Sequence, residues 1–316
     1  MDRRRTLAAS RTKAEAAHPA GANCRSACGW LALLLAGLVL AACSSVSMGY
    51  RGAPTLAGWW IDRQLDLPAA HREALDRALD ETHRWHAGAP RQALAAILRD
   101  AAQRLERPVN EADLREVIAA LEAHADEVSA HFANALLPRL PALDAQELAR
   151  IDARLAERQR DYAEKRLGKD EKAQQQRRRE RTEEAAEDWF GTVSAVQRAL
   201  VARSIESGAF DDRVWVAERA RRQQALVDAL RGGLNKVGGT QQAGALQRWF
   251  SDWRRDRSAA VSAAIAAQRQ ASIVLWLDMI EAATPAQRQH LRERLLGWAD
   301  DLDRAARAVL LAEAKG

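Results

Sequence analysis

At 316 residues, 47% hydrophobic and 29% charged, the chain has globular composition with no collagenous, low-complexity or disordered bias. Its 17 Gly and 8 Pro are too few for a sandwich or barrel, which needs a turn about every ten residues, so an all-α fold is expected. The net charge of +5 would suit a polyanion partner if it belonged to the folded part.

It does not. Arg25 precedes an uncharged run, Ser26 to Ala42 (SACGWLALLLAGLVLAA), that stops at Cys43. Trp30 to Ala42 is 13 residues, about 20 Å of helix against a hydrocarbon core of about 30 Å, so the run reads as the apolar region of a signal peptide spanning residues 1–42. Leu40-Ala41-Ala42-Cys43 resembles the bacterial lipobox. That resemblance implies cleavage before Cys43, acylation of its thiol and new N-terminus, and, from Ser44 and Ser45, delivery to the outer membrane. Two or three acyl chains give stable anchoring where one gives marginal binding. Cys24 and Cys28 fall in the removed part. Residues 1–42 hold six Lys and Arg and two Asp and Glu, so residues 43–316 keep 42 and 41, net +1. A nucleic-acid partner loses its support, and with one Cys left no internal disulfide can form.

Residues 43–56 are small, polar and marked by Gly and Pro, and are expected to be a lipidated flexible tether. From about Ala57 the apolar spacing is helical, and about ten amphipathic helices in an extended bundle or array are expected. Leu94, Ile97, Leu98, Ala101 and Leu105 mark one; Leu114, Val117, Ile118, Leu121, Val128, Phe132 and Leu136 mark another; Leu291, Leu295, Trp298, Leu302 and Ala306 mark the last. Residues Ala245 to Pro285 contain no internal Gly or Pro and predict one helix of roughly 60 Å. Four capping boxes mark helix starts: Asn110 with Asp113, Asp144 with Glu147, Ser194 with Gln197, and Thr284 with Gln287. Pro68 and Pro90 suggest two more. Gly168 divides the polar stretch 144–190, whose Gln174–Arg181 run reads as a solvated helix face. Residues 57–190 carry net −5 and residues 191–316 net +5. These two helical halves are expected to pack into one body, with binding of a second copy as the alternative.

Trp59-Trp60-Ile61-Asp62, Leu65-Asp66-Leu67, His83-Arg84-Trp85-His86, Ala156-Glu157-Arg158 before Tyr162, and the closing Thr284-Pro285-Ala286-Gln287-Arg288 resemble an uncharacterised family of bacterial lipoproteins known only as a domain of unknown function. The resemblance covers roughly residues 48–312 and departs from the family's pattern at Ala87-Gly88-Ala89-Pro90, where a more charged stretch is expected. It implies a helical periplasmic lipoprotein and carries over no catalytic residue, substrate or cofactor.

Candidate chemistry is sparse. His83 and His86 share a helix face with Asp80 a turn back, a metal-ligand geometry that lacks the His-Glu-x-x-His form; His124, Glu127 and His131 could join them. Packing around Trp85, with one of these His residues hydrogen-bonded, is the plainer expectation. Gly-x-Ser-x-Gly and phosphate-binding loops are absent, so neither enzyme activity nor a cofactor is expected. Trp249, Phe250 and Trp253 are expected to be core, with a groove for an apolar partner as the alternative. The sequence thus favours an outer-membrane-anchored, non-enzymatic protein-binding or scaffold module that faces the periplasm and meets an envelope protein. An envelope enzyme using the His and carboxylate clusters, or a hydrophobic-ligand carrier, are the alternatives.

Overall fold

A computed structural model of the chain describes residues 46–168, 170–208, 211–232, 239–252 and 256–313, with side chains except at 239–243 and 308–313. Cys43 and the signal peptide lie outside the described residues, as does Trp253. The described residues are all-α, with no strand among them. Helical turns over 46–51 lead into α1 (Ala53–Leu65), followed by α2 (Ala69–His86), α3 (Ala89–Arg104) and α4 (Glu111–Leu136). After a 3-10 turn (Leu137–Arg139) come α5 (Ala145–Leu167), α6 (Glu171–Phe190), α7 (Ala195–Glu206), α8 (Asp212–Arg231), α9 (Gly239–Ser251), α10 (Ala259–Glu281) and α11 (Pro285–Glu313).

The start signals act where the sequence places them. Asn110, Asp144, Ser194 and Thr284 each accept, through the side chain, a bond from the backbone N–H three residues on and donate their own backbone N–H to that residue's side chain. Two of these boxes are joined: Gln287 Nε2 donates to Gln197 Oε1 at 2.9 Å and to Thr192 O at 2.7 Å, and fully buried Gln197 donates to Met279 O at 3.3 Å. One amide pair thereby ties the starts of α7 and α11 to the end of α10. Gly168 closes α5 at φ 62°, ψ −163°, a conformation that only glycine adopts readily.

Three expectations need correction. The tether is helical from residue 46, because Tyr50 packs into the main core and hydrogen-bonds His86. The 60 Å helix is divided into α9 and α10, because Ser258 accepts the Val261 N–H and starts a new helix without Gly or Pro. The Gln174–Arg181 face is not wholly solvated: Arg178 is buried, and Asp212 at the first turn of α8 meets it at 3.0 Å.

Residues 45–316 form one compact unit in which the two halves interleave. The larger core gathers Leu98 of α3, Phe190 of α6, Val201 of α7, Met279 of α10 and Leu295 of α11. A second joins Leu143, Ile151 and Leu155 to Val227, Leu230 and Leu246 from α8 and α9. By length and composition α10 could cross a membrane; its second half buries Ile273, Leu275, Met279 and Ile280 in this unit, while in its first half only Ile265 is buried.

Candidate apolar-ligand site

Beside the second core the helices leave a cavity of about 520 Å³. Trp60, Ile61 and Leu65 of α1, Phe132 and Leu136 of α4, and Ile151, Leu155 and Tyr162 of α5 line it. Trp215, Leu226 and Leu230 of α8, with Leu246, Trp249 and Phe250 of α9, complete the apolar wall. Apart from Trp60, which is 57% exposed at the rim, these are the inward positions of amphipathic helices that meet at the cavity without closing it.

Aromatic contacts fix the wall. Phe250 stands edge-on to Phe132 at 5.8 Å and to Trp249 at 5.0 Å, and Trp249 Nε1 donates to Arg222 O at 3.0 Å. Trp249 and Phe250 are half-buried, and both line the cavity. Local stripe counting could find those two. It could not find the polar side of the cavity, which comes from α8 and the start of α10.

That polar side carries more positive than negative charge: Arg219, Arg222 and Arg257 against Glu218. Glu218 is already committed, gripped by Arg221 at 2.9 and 3.0 Å and approached by Arg257 at 3.5 Å. The carboxylate raises the Arg221 pKa in return. Arg219 lies over the Tyr162 ring at 4.6 Å and donates to Arg158 O and Gln159 Oε1, both at 3.2 Å. Among the described residues no carboxylate pairs with Arg219. Burial pulls the pKa of Arg219 and Arg222 down, the sign of cations held away from water. His71, also on the wall, donates from Nε2 to Pro141 O at 3.0 Å.

A second cavity of about 420 Å³ lies between α3, α4, α6, α10 and α11. Its charges are matched: Asp113 is held by Arg104 at 3.0 Å and Arg107 at 2.5 Å, and Arg269 pairs with Glu122. It offers apolar space without a spare cation.

The His candidates converge differently from their sequence grouping. His86 Nδ1 meets the Tyr50 hydroxyl at 2.8 Å, and His86 Nε2 meets His124 Nε2 at 3.1 Å. Tyr50 also lies against the His83 ring at 4.8 Å. His131 is drawn off by a parallel stack on Trp85 at 4.0 Å. Among the described residues no group of three or more His, Cys, Asp or Glu is placed to hold a metal ion, so the His83, His86 and Asp80 set does not form one. Burial, with His124, His83 and Arg91 nearby, pushes the His86 pKa down to about 4, and burial pushes Tyr50 up to about 12. His86 and Tyr50 are therefore both neutral at pH 7.

A family model described as a family of unknown function (DUF6279) matches residues 63–256. The match starts after Trp59 and Trp60, stops before Thr284, and contains every α8 and α9 residue of the cavity wall. No curated protein and no solved structure matches the chain.

Proposed function

We propose that this chain, which belongs to the family of unknown function DUF6279, is a lipid-anchored envelope protein that holds the apolar part of an anionic amphiphile and does no catalysis of its own. One observation carries the reading: an apolar cavity of about 520 Å³ bordered by a half-buried guanidinium, Arg219, whose hydrogen-bond partners are neutral. An acyl chain would fill the space between the Leu and Trp side chains, and a carboxylate or phosphate would take charge-assisted bonds from Arg219. The lipobox at Cys43 supports attachment at the periplasmic face of the outer membrane.

The carrier reading takes precedence over the protein scaffold because Trp249 and Phe250, the aromatics that would face a protein partner, line the cavity instead. A metal-dependent version of the His-based enzyme reading lacks a ligand group among the described residues.

Titration with saturated fatty acids of about ten to about sixteen carbons, followed by tryptophan fluorescence, tests this. Each buried methylene contributes about 0.8 kcal/mol, so Kd should fall about fourfold per carbon until the cavity is full. Leu226→Trp, which fills the cavity from α8, should abolish binding while leaving the helical circular dichroism unchanged. Affinity independent of chain length would overturn the reading.

A further inference from the structure

The first helix is divided between two environments. Tyr50, Pro54, Ala57, Gly58, Ile61 and Leu65 fall on one side at 100° per residue, and they are buried or half-buried. Gly58 marks the closest approach: a Cβ there would lie 2.8 Å from Asp76 Oδ1 on α2. The opposite side carries Met48, Leu56, Trp59 and Trp60, each between 57% and 60% exposed. Seven large apolar side chains are strongly exposed among the described residues, and four are gathered on this one face, so it is a patch and not scatter.

Between Ser44 and Ile61 the only charged residue is Arg51. Arg63 stands at the far end of the patch with its guanidinium 5.3 Å from the Trp59 ring. The nearest carboxylate, Asp62, is paired with Arg72 at 3.0 Å, and paired tryptophans beside the cation of Arg63 have the composition of a membrane–water interface. Chain length supplies the occupant. Met48 is five residues after Cys43, a span of at most about 17 Å, so acyl chains on Cys43 would keep this face against the headgroups.

We propose that the outward face of α1, through Met48, Leu56, Trp59 and Trp60, docks onto the phospholipid bilayer; the inference rests on the lipid-anchor reading of Cys43. Docking gives the anchored protein a fixed orientation. Because Trp60 belongs to both the exposed face and the cavity wall, that orientation sets one edge of the cavity at the membrane interface.

The full chain, purified from membranes and reconstituted into phosphatidylethanolamine and phosphatidylglycerol vesicles, tests this when the acyl chains carry bromine, a contact quencher of tryptophan. The wild-type protein should be quenched relative to unbrominated vesicles. Trp59→Phe/Trp60→Phe, which keeps the face apolar, should lose at least about half of that quenching, and Met48→Glu/Leu56→Glu, which keeps both tryptophans, should lose a similar share. Equal quenching in the wild type and both variants would overturn the docking. Labelling with an alkynyl fatty acid, compared with Cys43→Ser, separates the two readings. Label on Cys43 with equal quenching removes the docking and keeps the anchor; no label with variant-sensitive quenching removes the anchor and keeps the docking.

Discussion

Acid should weaken the fold, and the Tyr50–His86–His124 chain is one reason. In the folded protein His86 sits at a pKa of about 4 because burial and its neighbours His124, His83 and Arg91 disfavour the imidazolium. In the unfolded chain it returns to about 6.5. The folded value is the lower one, so the unfolded state takes the proton first. Stability is therefore complete above about pH 6.5, falls as the pH drops toward 4, and levels off below. His124 is shifted in the same direction, also by burial. The full His86 shift corresponds to about 2 kcal/mol between pH 7 and pH 5, and the half-exposed ring reduces this to about 1 kcal/mol. Asp113, held low by its bond from Arg107, loses its contribution only as the pH falls through the ordinary carboxylate range, below the pH 7 to pH 5 interval.

Urea denaturation at pH 7, 6 and 5, read by circular dichroism, measures the loss. The double variant His86→Gln/His124→Gln keeps polar groups at both positions and removes the titration. It should recover about 1 kcal/mol of the pH 7 to pH 5 difference. If wild type and double variant lose the same stability across that interval, the imidazoles are not the source and their placement against Tyr50 is wrong.

Gln197→Ala should cost about 2–4 kcal/mol by urea denaturation, because it strips the cap from Ser194 N, leaves Met279 O without its donor and opens a void in a fully buried site. Gly168→Ala should cost about 1–3 kcal/mol, since its φ of 62° and ψ of −163° strain any side chain, and its new Cβ would displace the Arg177 guanidinium. Arg219→Leu should leave the urea midpoint unchanged or raise it, while weakening fatty-acid binding by about 10- to 100-fold; a loss of more than about 1.5 kcal/mol would make Arg219 a structural residue.

The parts of the fold that were legible in sequence are those that local chemistry decides. Asn110 with Asp113 or Thr284 with Gln287 satisfy orphan N–H groups within one turn, and no tertiary context is needed to see it. The division between α9 and α10 was hidden because Ser258 breaks the helix by capping alone. The helical stretch before α1 was hidden because what holds it, Tyr50 against His86, joins residues 36 apart. The candidate site divides the same way. Trp249 and Phe250 were visible as an apolar stripe, whereas Arg219 looked like one more basic residue on a polar helix until α5 placed Tyr162 beneath it. His83 and His86 drew notice as neighbours on one helix, but the bond that matters crosses to His124 on another.

The placement of charge separates what holds this protein together from what it holds. Its halves carry opposite net charge, yet the ion pairs between them do not follow the halves: Arg91 and Arg99 of the acidic half meet Asp303 of the basic half, while Arg292 of the basic half meets Glu106 of the acidic half. Arg99 and Glu106 are exposed, and such pairs contribute about 0–1 kcal/mol each. The packing of α3, α6, α7, α10 and α11 on one apolar core outweighs them at about 25 cal/mol per Å². The guanidinium at position 219 joins α8 to α5 only through neutral partners, Arg158 O, Gln159 Oε1 and the Tyr162 ring. A leucine there would face Tyr162 and the cavity without desolvating a charge. A half-buried cation beside an apolar space it does not fill is what the proposed binding of an anion with a long apolar tail would use.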